Sequence, residues 1–213
     1  DFATTTRNLM NGKSLNSKER VDFLNECIKG YSDYAGRIFY HIGIGDIGVE
    51  KIKAVIARHI RITGRKPLVI IDYLQIYAQI SENEEQSYSI MARTFKNIAK
   101  ELGICVLMLS QLNRSGDHPT IKMLRGSGQI EESADNVVLI DRPEAYPDNK
   151  VTKYIGDFKN ESISGTAKLI LAKGRGVGTS SSLVAFDKVH TRFFEIKENQ
   201  TEKHFEHEDI LPF

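Results

Sequence analysis

The apolar pattern of the chain predicts an α/β fold, a mostly parallel central sheet with an antiparallel extension. Three observations carry this. The runs Leu68-Val-Ile-Ile71 and Ile104-Cys-Val-Leu-Met-Leu109 are near-continuously apolar, as strands covered on both faces are. Between them Met91, Phe95, Ile98 and Leu102 recur at helical spacing, which supplies the crossover that parallel neighbours require, with a right-handed connection. Farther on, Asn136-Val-Val-Leu-Ile140, Ala167-Lys-Leu-Ile-Leu-Ala172, Leu183-Val-Ala-Phe186 and Arg192-Phe-Phe-Glu-Ile196 form short strands with no long helix between them, the mark of antiparallel pairing.

The remaining elements follow in order. Asn16-Ser-Lys-Glu19 has the form of a capping box. It opens a helix with Val21, Leu24, Cys27 and Ile28 on one stripe and Gly30 as terminator. A short strand, Ile38-Phe-Tyr-His-Ile42, leads through a glycine-rich turn to a second helix in which Val49, Ile52, Val55, Ile56 and Ile60 share a face. Ser81-Glu-Asn-Glu84 is another capping box, and Gly103 ends the crossover helix. Residues 143–165 are polar, a long loop or hairpin arm. Beyond residue 196 the periodicity disappears and acids outnumber lysines, so the expected organisation is one domain, 1–196, and a flexible acidic tail, 197–213.

With 213 residues and 40% hydrophobic content the chain can bury one sizeable core. A net charge of +1 excludes global attraction to nucleic acid, so any DNA contact must come from a local patch. Cys27 and Cys105 lack C-x-x-C spacing and sit among apolar neighbours, which reads as two reduced, buried thiols and a cytoplasmic setting. No apolar run approaches the roughly 18 residues that a membrane helix needs.

Four places carry chemistry. Asp72 stands where the strand Leu68-Val-Ile-Ile71 emerges, the position from which a sheet presents a metal-binding acid. Gln111 follows the next strand, so both side chains are expected at one sheet edge, where ligands of open α/β sheets bind. A neutral amide there can donate to a phosphate oxygen and accept from water. Leu124-Arg-Gly-Ser-Gly-Gln-Ile-Glu131 joins a glycine-rich turn to a helix start; its amides can approach a phosphodiester, with Arg125 adding charge. Lys173 and Arg175 flank Gly174 at a strand end, two cations able to neutralise charge on a transferred phosphoryl group. Taken singly, each has a plainer reading: a backbone-capping acid, a loop amide, an interface loop and a basic surface hairpin.

Together, in this order, the segments resemble the motor domain of the DnaB-type replicative helicases, with Leu68-Val-Ile-Ile-Asp72 similar to a Walker B strand. The resemblance implies a RecA-like P-loop ATPase core acting on ATP and Mg²⁺ in a homo-hexameric ring that moves 5′ to 3′ on single-stranded DNA. Primase, a helicase loader or another replisome protein is the kind of partner it implies. By the same resemblance Asp72 is the Mg²⁺ acid and Gln111 the γ-phosphate sensor. Arg125, Gly126, Ser127 and Gly128 form the DNA-gripping loop, and Lys173 and Arg175 reach the neighbouring subunit's nucleotide as an arginine finger. Gly126 stands where the family usually has an acid, and a second expected DNA-facing loop, residues 81–86, carries Glu82, Glu84 and Glu85 where an arginine is common.

The pattern G-x-x-x-x-G-K-[ST], which cradles phosphates, is not found in these 213 residues; Gly12-Lys-Ser14 has Arg7 where the first glycine belongs. The expectation is that the Walker A strand and helix lie upstream of Asp1. The alternative is a non-catalytic RecA-like assembly or DNA-binding module that has lost nucleotide hydrolysis.

Three other patterns compete. Gly43-Ile-Gly-Asp-Ile-Gly48 lies between the predicted strand 38–42 and a helix, with Asp72 at the end of the next strand, and so fits a dinucleotide-binding turn, although Asp72 comes rather late and Tyr40 and His41 stand in place of small apolar residues. His204-Phe-Glu-His207 offers two metal ligands without a further pair. The ending His207-Glu-Asp-Ile-Leu-Pro-Phe213 resembles the acidic tip of bacterial single-stranded DNA-binding proteins, which implies partner docking.

Overall fold

The computed structural model describes residues 17–41, 48–74, 84–113, 118–124, 127–146, 152–159 and 161–196. They belong to two compact units, a smaller one from Asp1–Ile42 with Ala185–Phe213, and a larger one from Gly43–Val184.

In the smaller unit, α1 (Lys18–Ala35) starts one residue later than the capping-box pattern suggests. Ser17 is its N-cap, accepting from Arg20 N–H at 3.3 Å. The helix runs through Gly30 and stops at Gly36. Gly30 is not among the glycines with positive φ, so no left-handed turn interrupts the helix there, and Gly36 at its end is itself right-handed at φ −64°. The five residues after Gly30 stay helical, with Ser32 Oγ donating to Ile28 O at 2.9 Å and Tyr31 edge-on to Tyr34. The predicted stripe buries none of its residues. Nor do residues 38–41 form a strand: Phe39 and Tyr40 are mostly exposed, and among the described residues no strand pairs with this β-prone segment.

The larger unit holds the parallel pair. Helix α2 (Val49–Thr63) buries Ile52 and Ile56 and ends on left-handed Gly64. Val55 is exposed rather than on that face, because one residue is about 100° around the helix from Ile56. Strand β1 (Leu68–Ile71) pairs with β2 (Cys105–Met108) in parallel, from Leu68↔Cys105 to Ile71↔Met108, and α3 (Glu84–Leu102) makes the crossover. Gly103, at φ 61°, stops α3 as predicted. A short helix α4 (Ser127–Ser133) precedes β3 (Asn136–Asp141), which pairs antiparallel with β4 (Thr166–Gly174). Strand β5 (Ser180–Asp187) and β6 (Arg192–Phe194) complete a four-stranded sheet in the order β3-β4-β5-β6, the predicted antiparallel extension, and β6 pairs with Ala185–Asp187, which belong with it to the smaller unit.

Phe95 and Leu74, each 1% exposed, lie in one apolar cluster with Ile52, Ile71, Ile98 and Leu139. The strands contribute their alternate residues to it. The opposite positions, Leu68, Ile70, Leu107, Val138 and Ile140, are apolar yet exposed. Cys105 lies opposite Leu68 in this outer register and is exposed, and Cys27 is exposed on α1, so neither thiol is buried as expected. Residues 143–165 carry short 3₁₀ turns at Pro143–Ala145 and Gly156–Phe158, with Tyr154 and Ile163 buried. The capping box at 81–84 lies largely outside the described residues, as does the tail 197–213.

Candidate functional site

Parallel register places the first two site residues. Leu109 N–H donates to Ile71 O at 3.0 Å and Leu74 N–H to Leu109 O at 2.9 Å, so the β1–β2 ladder continues past both strand ends. Asp72 and Gln111 therefore leave the sheet at the same edge, as predicted. Asp72 is exposed and joined to Tyr73 by a cis peptide bond, while Leu74, two residues on, is locked in the core. An exposed carboxylate at a strand end, with a neutral amide leaving the neighbouring strand at the same end, suits a hydrated divalent cation and the phosphate beside it. Among the described residues no group of three or more His, Cys, Asp or Glu forms a closed metal cage. Mg²⁺ does not require one, since it is held by one or two carboxylates plus phosphates and water.

The chain leaving Gln111 is tied to the candidate DNA loop. Leu112 forms an isolated antiparallel bridge with Leu124, and Asn113 N–H donates to Met123 O at 2.8 Å. Leu124 is buried, so the loop begins from a fixed point. Arg125 and Gly126 lie outside the described residues. Ser127 and Gly128 belong to the first turn of α4, so this part of the expected glycine-rich turn is helical; Gly128 is exposed, with open space around its Cα.

Lys173 and Arg175 sit at the end of β4 and engage neighbours that the motif reading does not foresee. Lys173 Nζ donates to Glu131 O in α4. Arg175 N–H donates to Asp135 O at 2.8 Å, and Arg175 Nη1 lies 3.3 Å from Asp135 Oδ1. The other carboxylate oxygen of Asp135 pairs with Lys96 of α3. The hydrogen bond from Lys96, outweighing the cost of burial and helped by the charges of Lys96, Arg175 and Lys100, holds the Asp135 carboxyl below the usual aspartate range. The glycine between the cations serves the hairpin itself. A Cβ on Gly174 would fall on Gly178 O and 2.7 Å from Val177 Cγ2, and the turn closes through Gly176 and Gly178 at φ 88° and 76°. Asp135 precedes β3 and Lys96 lies mid-helix; neither position carries a sequence signal for the other.

A second polar cluster also escapes the motif reading. Asp141, 2% exposed at the end of β3, accepts from Tyr146 Oη at 2.7 Å and pairs with His118 Nδ1 at 2.8 Å. Burial, then the Asp141 contact, pushes the Tyr146 hydroxyl far above the usual tyrosine value. The dinucleotide-type pattern at 43–48 lies almost wholly outside the described residues, and the strand that it needs before it is lacking in 38–41. His204 and His207 are likewise outside.

Residues 5–195 match the family described as the DnaB-like helicase C terminal domain. The chain belongs to this family. It is 39% identical over 133 residues to the replicative DNA helicase DnaB of Leifsonia xyli subsp. xyli (strain CTCB07), covering 59% of this chain and 27% of that protein. It is 31% identical over 195 residues to a probable replicative DNA helicase of Trieres chinensis, covering 88% of this chain and 40% of that protein. Among solved structures, a DnaB-like replicative helicase described with its interactions with primase aligns at TM-score 0.61 and 28% identity, over 73% of this chain and 37% of that one. A second solved structure, described as an ATPase domain, aligns at TM-score 0.72 and 24% identity, over 92% of this chain and 67% of that one, and supports the RecA-like fold. This DnaB-like chain thus spans between about a quarter and two fifths of the length of these two curated relatives. No helix among the described residues is long and apolar enough to cross a membrane.

Proposed function

We propose that this chain, residues 1–196 in particular, is motor-domain sequence of an ATP-driven replicative DNA helicase that moves 5′ to 3′ along single-stranded DNA as a homo-hexameric ring. The observation that carries the reading is the shared edge of Asp72 and Gln111 on two in-register parallel strands, in a chain of the DnaB-like family. Asp72 would hold a hydrated Mg²⁺ accompanying ATP, which would supply charge neutralisation at the phosphates, and Gln111 would be the amide that senses the γ-phosphate.

The Leu112–Leu124 bridge offers a short mechanical path from the amide to the loop 125–128, which grips the DNA backbone through Arg125 and the main-chain amides of Gly126, Ser127 and Gly128. Lys173 and Arg175, at a tight hairpin that only glycine at 174 lets close, act across the subunit junction on the transferred phosphoryl group. Primase or a loader is the partner class that the family relation suggests.

The test is ATP-dependent strand separation by the full-length protein, wild type against Asp72→Ala. The reading expects DNA-stimulated hydrolysis and 5′ to 3′ unwinding in the wild type, with both lost in the variant. A wild type that binds DNA without hydrolysing ATP would make it a non-catalytic RecA-like module instead.

A further inference from the structure

We infer that Asp135 is a positioning residue for Arg175, aiming its guanidinium out of the hairpin toward the neighbouring copy; the inference rests on the finger role proposed above. Two contacts from one residue define the geometry. The backbone bond from Arg175 N–H to Asp135 O, at 2.8 Å, fixes the main chain where the arginine leaves β4. The carboxylate then takes Nη1 at 3.3 Å, which sets the direction of a side chain that otherwise has several rotatable bonds. Lys96, held from α3, occupies the second oxygen, so the carboxylate cannot swing away.

The charge count is what an aiming device needs. One carboxylate faces Lys96 and Arg175, with Lys100 near enough to add to the field, so the arginine is oriented without being neutralised. A guanidinium bound through Nη1 keeps Nε and Nη2 for a second acceptor. Asp135 and Arg175 are both about half exposed, at 48% and 59%, and exposed pairs contribute little to folding. The consequence of this pair is therefore pre-organisation: a group held in place before the reaction loses no freedom when charge develops on the phosphoryl group.

The experiment uses the full-length protein and compares Asp135→Asn, Asp135→Glu, Arg175→Ala and the double variant Asp135→Asn/Arg175→Ala in steady-state ATP hydrolysis with single-stranded DNA. Asp135→Asn should lower kcat about tenfold with KM unchanged, since it misaims a transition-state group. Asp135→Glu should recover most of the loss, and Asp135→Asn should add nothing once Arg175 is gone. Wild-type kcat in Asp135→Asn, or a tenfold loss that persists in the Arg175→Ala background, overturns the inference while leaving the finger role standing. Wild-type kcat in Arg175→Ala overturns the finger role itself, and the inference with it.

Discussion

Leu112 and Leu124 face each other in an isolated antiparallel bridge, so the residue after Gln111 is paired with the residue before Arg125. A displacement of the amide as nucleotide changes state has a two-residue route to the loop. Gln111→Ala in the full-length protein should therefore uncouple nucleotide from DNA. We predict that the difference in single-stranded DNA affinity with and without a non-hydrolysable ATP analogue, about tenfold for a coupling of the usual size, collapses toward unity. An unchanged ratio in fluorescence anisotropy would remove Gln111 from the sensor role.

Phe95, at 1% exposure, is enclosed in the cluster between α3 and the strands. Phe95→Ala should cost about 3–5 kcal/mol through lost burial and the cavity left behind. Exposed Ile90, one helical face away, should tolerate alanine within about 0.5 kcal/mol. Urea denaturation of both variants checks the contrast, and similar losses would contradict the assigned face.

Asp187 closes the turn between β5 and β6, accepting from Val189 N–H at 2.8 Å and His190 N–H at 3.2 Å while its other oxygen meets His190 Nδ1. Burial pushes this carboxyl up, but the His190 side chain and the two backbone amides outweigh it and leave the value lowered. The folded chain then binds this proton more weakly than the unfolded chain. The stabilisation is complete above the unfolded aspartate value, about 4, and is lost as pH falls through the lower folded value. The stability gap between wild type and Asp187→Asn should be widest near pH 7 and narrow below about pH 4. A gap independent of pH would show that the carboxylate charge is not what the turn uses.

Much of the larger unit is legible in the sequence because its signals are periodic. The apolar runs at β1 and β2, with Phe95 and Ile98 at helical spacing between them, specify a parallel pair and its crossover, and so put Asp72 and Gln111 on one edge. The misreadings arise where local preference lacks a partner. Ile38, Phe39 and Tyr40 favour strand, yet no strand pairs with residues 38–41 among the described residues; Gly30 can end a helix, but helix-compatible residues follow it. Apolar neighbours point both cysteines inward, although Cys105 falls on the uncovered side of β2. Lys96 and Asp135 are invisible as a pair because 39 residues separate them and only the packing of α3 beside α4 joins them.

On the proposed reading Asp72 and Arg175 of adjoining copies serve one nucleotide, and mixing the two impaired variants decides whether they do. Full-length Asp72→Ala should be inactive in ATP hydrolysis, and Arg175→Ala should retain only a small, measurable fraction of the wild-type rate. Mixed in equal amounts and allowed to exchange, they should regain activity at about a quarter of the junctions, where an intact acid from one subunit meets an intact arginine from the next. No recovery in verified mixed rings would contradict the shared site and place both residues in the service of separate functions.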